Sequence, residues 1–319
     1  MNATDDALRL GLEMRQWASD LASEEPKSKA KLTTAPYHVA KAFIHRFAAI
    51  AGAMEKHGLS SEAVASSLEM ARGELTRSAF IKRLQTWPRG YPGDFETIDC
   101  LLGDTSAGTT DAAGLLYEQA ALSLPIAMQH RFKVVAQAQI IEETLMRRGP
   151  DARILVLAVG SAPDLRRVRW NLFGIPKKLV IADWDAAALT SAQSAMISHG
   201  IFCEKWVGDL VSVLKELRSE HFDAIVAGGI FDYLTDRTGK FVIGRCRQML
   251  ASGGVFFFTN IRTGNPYRVL IEHAANWRLI ERDAPALMSL TADNAPDRPD
   301  VDIAPDETGL ALLVRCTAS

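Results

Sequence analysis

Two short stretches of this sequence carry the residue types for chemistry. Gly160 closes the apolar run Ile154-Leu155-Val156-Leu157-Ala158-Val159 and is followed by Ser161, Ala162, Pro163 and Asp164. Asp183 closes a second run, Leu179-Val180-Ile181-Ala182, and is followed by Trp184 and Asp185. Each run reads as a buried parallel strand. A glycine turn after one strand lets backbone approach a nucleoside, and an acid at the end of the next accepts from ribose hydroxyls, as in a Rossmann-like sheet. Each residue also has an ordinary structural role open to it. Gly160 suits any strand-to-helix turn, Asp183 and Asp185 suit helix N-caps, and Asp209 suits a surface loop. Spacing and strand context together favour the nucleoside site.

The nucleoside is not carried by the usual dinucleotide fingerprint. G-x-G-x-x-G is absent, and Pro163 removes a backbone N–H that a phosphate would use. The P-loop pattern is absent as well. A net charge of -2 gives no support to a nucleic-acid partner. Cys100, Cys203, Cys246 and Cys316 are too scattered for a C-x-x-C metal site. No metal is expected, and the thiols read as reduced, in a cytoplasmic protein. No apolar run approaches the ~20 residues that span a bilayer, and the acidic N-terminus lacks the apolar core of a signal peptide.

The elements that must position these residues fall into two parts, expected as a helical cap over 1–150 and an α/β domain over 151–319. Residues 1–35 read as a helix and a loose linker, Glu24 to Lys31, with a mobile tail as the favoured description. Val39, Phe43, Phe47 and Ile50 recur at helical spacing, and a second helix is expected from Ser61 to Leu84. The segment Trp87-Pro88-Arg89-Gly90-Tyr91-Pro92-Gly93-Asp94-Phe95 breaks the pattern. From composition it is a rigid corner more readily than a site. Helices resume across Leu115 to Met146. Strands are expected at Arg153–Val159, Lys178–Ala182, Ile201–Trp206, Phe222–Ala227, Val255–Asn260, Trp277–Glu281 and Leu310–Cys316. Helices are expected at Asp164–Phe173, Asp185–His199 and Arg237–Leu250. Two final strands joined by a long polar loop predict an antiparallel pair closing a seven-stranded, mostly parallel sheet.

This arrangement resembles the class I S-adenosylmethionine-dependent methyltransferases. Several motifs also resemble the subfamily linked to 3-hydroxypalmitate methyl ester signals, the extracellular-factor type. They are Arg89-Gly90-Tyr91-Pro92-Gly93-Asp94, Ile230-Phe231-Asp232-Tyr233-Leu234-Thr235-Asp236, Leu250-Ala251-Ser252-Gly253-Gly254 with Asn260, Asn265-Pro266, and Trp277-Arg278-Leu279-Ile280-Glu281-Arg282. The sequence departs from that subfamily at Ser161, Ala162 and Pro92. The resemblance implies a cofactor site at Gly160, Ser161, Ala162, Asp164, Asp183, Trp184, Asp209, Leu210 and Gly228. It also turns the 89–94 loop into an expected lid, with Asp94 near the cofactor.

For a methyltransferase, catalysis is mainly alignment, which supplies ~7–11 kcal/mol in model systems. A carboxylate acceptor needs no base, whereas a hydroxyl or amine does. Tyr233, His130 and Tyr91 are the candidates for a catalytic role. Tyr233 follows strand four, where ligands bind. His130 on an apolar helix is more often a core histidine. Arg89, Tyr117, Arg131, Asp232 and Asn260 are expected at the substrate. Arg262 is a further anion clamp or a surface ion pair. The expected function is methylation of a small-molecule metabolite, with no nucleic-acid or membrane partner; a homodimer stays open. The alternatives are a cofactor-binding but inactive regulatory or partner protein, and a nucleic-acid or protein methyltransferase.

Overall fold

The structure, a computed structural model, describes residues 3–23, 34–292 and 300–318. The linker expected at Glu24 to Lys31 lies outside them. The elements run α1 (Ala3–Ser23), α2 (Thr34–Lys56), α3 (Ser61–Ser67), α4 (Glu69–Leu75), α5 (Ala79–Thr86), α6 (Phe95–Leu102), α7 (Ala112–Leu122) and α8 (Pro125–Arg148). Then come β1 (Arg153–Leu157), α9 (Trp170–Phe173), β2 (Lys178–Asp183), α10 (Ala186–Ile197), β3 (Glu204–Val207), α11 (Leu210–Glu216) and β4 (Phe222–Ala227). The chain continues through α12 (Asp236–Gln248), β5 (Leu250–Ile261), α13 (Arg268–Ala275), α14 (Ala284–Thr291), β6 (Asp300–Pro305) and β7 (Ala311–Thr317).

The seven strands form one sheet in the order β3-β2-β1-β4-β5-β7-β6. Strands β1 to β5 pair in parallel, and β7 runs antiparallel to both β5 and β6. This is the Rossmann-like sheet with an antiparallel C-terminal pair that the sequence predicts. Side chains alternate across it, because successive residues of a strand point to opposite faces. Leu155, Leu157, Val180, Ile225, Phe256 and Phe258 enter one core, with Val242 and Ile243 of α12 and Leu287 of α14. Ile154, Val156, Ile181, Val226 and Phe257 enter the other, with Ile141 and Leu145 of α8 and Leu189 of α10. Both faces are covered, so the strands read as unbroken apolar runs. Phe231 stacks on Phe258 at 4.0 Å between ring centroids, which anchors the turn after β4 to the first core.

The chain divides into two compact units, Met1–Met128 with Pro266–Arg278, and Gln129–Asn265 with Leu279–Ser319. This differs from a division at residue 150. Most of α8 groups with the sheet because its apolar side fills the second core, and 266–278 groups with the N-terminal helices. In the helical unit, α13 packs on α2 and α5. His273 Nε2 lies 2.8 Å from Glu55 Oε1, and Asn276 Nδ2 donates to the Gln85 carbonyl at 2.7 Å.

Four expectations need correction. Residues 3–23 are no mobile tail: α1 buries Leu10 and Met14 completely and packs on α2, α4 and α7. The single helix expected over 61–84 is three helices, since Ser60 and Ser78 each cap a new start. Asp164–Phe173 is a 3-10 turn and the one-turn α9. Finally, Trp277–Glu281 is not a strand. Trp277 N donates back to Ile271 O after α13, and Ile280 N donates to Asp232 O at 2.7 Å, so this backbone is used elsewhere. The seventh strand is β6, an edge strand whose proline costs no ladder bond on its open side.

Candidate active site

The strand order reverses between β1 and β4, and ligands of open α/β sheets bind beyond the carboxyl ends at such a point. The turn after β1 is left-handed at alternate residues: Ala158 has φ 51°, Gly160 φ 56° and Ala162 φ 62°. The alanine standing where a second glycine is usual therefore keeps glycine's conformation. Holding two alanines there costs about 1–2 kcal/mol each. The turn is held by Asp183, at the end of β2. One carboxylate oxygen accepts from Gly160 N–H at 2.9 Å and the other from Asp185 N–H at 2.9 Å. Burial pushes this carboxyl above its ordinary value, against the backbone N–H groups of Asp185, Gly160 and Trp184.

Asp164 lies deeper in the same turn and is 1% exposed. One oxygen accepts from Leu165 N–H at 2.8 Å, while the other is buried with no hydrogen-bond partner among the described residues. Burial pushes its carboxyl up to about 6, although Arg167 and Arg166 pull the other way. An unmade bond on a buried acceptor costs about 1–3 kcal/mol. The Ser161 hydroxyl accepts from Arg166 Nη2 at 3.1 Å. Trp184 stands 60% exposed immediately after Asp183. Leu210 is half-buried at the start of α11.

After β4, Gly228 leaves no room for a side chain, since a Cβ would meet the Gln137 amide at 2.9 Å. The following turn carries Asp232, which is buried in a polar chain. It accepts from Lys133 Nζ at 3.2 Å, from Ile261 N–H at 2.6 Å and from Asn260 Nδ2 at 3.2 Å. Asn260 Oδ1 accepts from Arg282 Nη1 at 2.7 Å, and Arg282 Nε reaches Asp236 at 3.0 Å. Burial raises the Asp232 carboxyl despite Lys133 and Arg282. Tyr233 follows it and is part-exposed. His130 and Arg131 are half-buried on α8. The His130 imidazole is held well below its ordinary value by burial, and then by the positive charges of Lys133 and Arg131. It is neutral at physiological pH, and the same causes make it a weak base.

Several expected site residues prove to be structural. Asp94 caps α6: it accepts from Thr97 N–H at 3.0 Å, from the Thr97 hydroxyl at 2.8 Å and from Arg83 at 3.2 Å. With both oxygens used and 1% exposure, it is not placed to hold a cofactor. Its loop is a corner, turned at Trp87, Gly90 and Gly93, all with positive φ. Arg89 is held there by Glu96 and lies over the Phe95 ring at 4.7 Å. Tyr91 is half-buried in the same corner. Tyr117 is fully buried against Trp17 in the helical unit, so it is core and not a substrate contact. Asp209 caps α11 through the Val211 and Ser212 N–H groups; the Ser212 hydroxyl, and then these N–H groups, lower its carboxyl. Asp232 and Asn260 spend their polar atoms on the chain just described.

Sequence reasoning missed Lys133, Gln129, Gln137 and the central place of Arg282. The available signal was a polar stripe, Gln129, Lys133 and Gln137 at i, i+4 and i+8 on one helix face, where a helix packed on a sheet is ordinarily apolar. Among the described residues no cluster of side chains suits a metal ion.

No family model and no curated protein matches the sequence. Among solved structures, a possible exported protein from Bordetella parapertussis is similar over 100% of this chain and 97% of its own, with TM-score 0.57 and 16% identity. An O-methyltransferase family protein from Burkholderia thailandensis is similar over 65% of this chain and 62% of its own, with TM-score 0.43 and 15% identity. Magnesium protoporphyrin IX methyltransferase from Synechocystis PCC 6803, solved with SAH, covers 61% of this chain and 87% of its own, with TM-score 0.46 and 8% identity. At these identities the likeness is one of fold.

Proposed function

We propose that the protein is an S-adenosylmethionine-dependent methyltransferase acting on a small molecule. The observation that carries this reading is the left-handed turn at Gly160 pinned by Asp183, within a sheet whose β7 is reversed between β5 and β6. The residues present fit the cofactor. Asp164 offers a buried carboxylate oxygen in need of a donor, which a methionine ammonium supplies. Asp183 keeps acceptor capacity beyond its backbone bonds, for a ribose hydroxyl. Trp184 is an exposed aromatic beside them, suited to adenine. When bound, the cofactor supplies a methyl group on a sulfonium, already activated for in-line displacement.

The protein's own contribution is alignment, and a destination for a proton where the acceptor carries one. In this proposal His130 takes that proton as a weak base, which suits an acceptor acidic enough to give it up, and Tyr233 contacts the acceptor. A cytoplasmic location goes with this reading, supported by four unpaired thiols, since such thiols persist in a reducing compartment. Among the described residues no helix is long and apolar enough to cross a membrane.

Calorimetry with S-adenosylhomocysteine tests the proposal. Wild type should bind in the micromolar range, and Asp183→Ala should bind at least about ten-fold more weakly, the loss of one or more charged hydrogen bonds. Failure of the wild-type protein to bind would overturn the cofactor assignment.

A further inference from the structure

Gln129 lies one turn before Lys133 on α8 and is fully buried. Neither its side-chain oxygen nor its nitrogen has a hydrogen-bond partner among the described residues. Lys133 is 2% exposed; its Nζ gives one of its three N–H groups to Asp232 and lies 3.5 Å from where a Gly229 Cβ would stand. The amide and the ammonium therefore share one helix face; on that face Gln137 and Lys133 meet the turn after β4 at Gly228, Gly229 and Asp232, and Gln129 stands one turn further along the helix.

From this we infer that Gln129 and Lys133 form the recognition site for the head of the acceptor, and that the head is uncharged, with a hydrogen-bond acceptor beside a donor. An amide, a lactam or the edge of an N-heterocycle has this form. The inference rests on the methyltransferase reading for the word acceptor, but the binding chemistry stands on the residues alone. Gln129 presents a donor and an acceptor side by side, and the group that satisfies both is another donor–acceptor edge. The spare N–H groups of Lys133 strengthen the hold on a carbonyl oxygen. The charge of Lys133 is already answered by Asp232 at 3.2 Å, and that of Arg282 by Asp236. A carboxylate head would bring an extra buried anion beside two cations, Lys133 and Arg282, that already have carboxylate partners. An apolar head would leave the Gln129 amide as it stands, buried and unbonded.

Benzamide and benzoate are matched probes, alike in size and different in charge and donor content. Saturation-transfer NMR titrations of each are carried out on the full chain with S-adenosylhomocysteine present, for wild type and Gln129→Leu. The expected result is binding of benzamide in preference to benzoate, weakened about ten-fold or more in Gln129→Leu, as for loss of a paired buried amide. Gln129→Leu should also raise Tm, since it removes an unbonded buried group, and calorimetric affinity for S-adenosylhomocysteine should be unchanged. Preference for benzoate, equal benzamide binding by Gln129→Leu, or binding of neither probe would each overturn the inference. Absence of S-adenosylhomocysteine binding with benzamide binding intact would instead remove the methyltransferase reading and leave the site.

Discussion

Asp164 and Lys133 are both buried charge-bearing groups, and each makes a distinct prediction. The Asp164 carboxyl titrates at about 6 in the folded protein and at 3.8 ordinarily. Between those values the folded state holds a proton that the unfolded chain has lost. This group's contribution to stability therefore falls as pH rises through that window, and is level above it. The gap is worth about 3 kcal/mol at most. Asp164→Asn should abolish it, so its stability relative to wild type should climb from about pH 4 to about pH 6 in urea unfolding and then stay constant. A flat difference would place the carboxyl in water. Lys133→Met leaves Asp232 buried without its cation and should cost about 3–5 kcal/mol, most of it recovered by adding Asp232→Asn. Urea midpoints of the single and double variants decide this. Gly160 and Asp183 were legible because strand ends announce themselves in apolar runs. The Lys133–Asp232 pair joins residues 99 apart, so the polar stripe on α8 marks Lys133 as unusual but does not say what it meets. Asp94, Asp209 and Tyr117 show the converse: their types suit a site equally well as a cap or a core, and only packing separates the two.

At the scale of elements, α7 illustrates how closely the helical unit is fitted. A Cβ on Gly114 would collide with the backbone carbonyl of Arg77. Gly to Ala inside a helix ordinarily gains about 0.5–1 kcal/mol, but Gly114→Ala should lose about 1–3 kcal/mol, because backbone cannot move aside as a side chain can. Thermal unfolding measures the sign directly, and a raised Tm would mean that α7 shifts freely. The parallel strands were legible as unbroken apolar runs, since both faces of the sheet are covered. β6 was not, because an edge strand of alternating acids and aliphatics resembles a polar loop. Trp277 and Ile280 misled in the opposite direction: an aromatic and β-branched segment has strand propensity, and its actual backbone bonds are made to single, distant partners. In α1 the buried set Ala7, Leu10, Met14 and Ala18 has helical spacing, but exposed Leu8 and Leu12 blur its face.

At the scale of the whole molecule, the covalent order of the chain does not follow its compact units. α13 belongs with the N-terminal helices although β1 to β5 precede it. A fragment of residues 129–319 would carry α13 without α2 and α5, leaving Leu270, His273, Ala274 and Ala275 uncovered. Such a fragment should aggregate. Replacing residues 266–278 by a short Gly/Ser linker should restore a soluble sheet unit, checked by size-exclusion chromatography and circular dichroism. If the unmodified fragment were monomeric and folded, α13 would not need its helical neighbours. A mostly parallel seven-stranded sheet was legible in outline because a Rossmann-like sheet repeats one strand–helix unit; the order of its strands was not. The excursion through 266–278 was not, since its helix is short and its partners lie some two hundred residues upstream.

That excursion also sets a timetable for biosynthesis. Roughly 145 residues separate the end of α7 from the start of α13. At translation rates of about 5–20 residues per second, the helical unit waits on the order of ten seconds for its last helix. Through that interval the side of α2 and α5 that receives α13 is bare on the ribosome, while the strands of the sheet are already emerging. The first unit to begin is thus not free to finish first, and the nascent chain is a natural client for a holding chaperone over that interval.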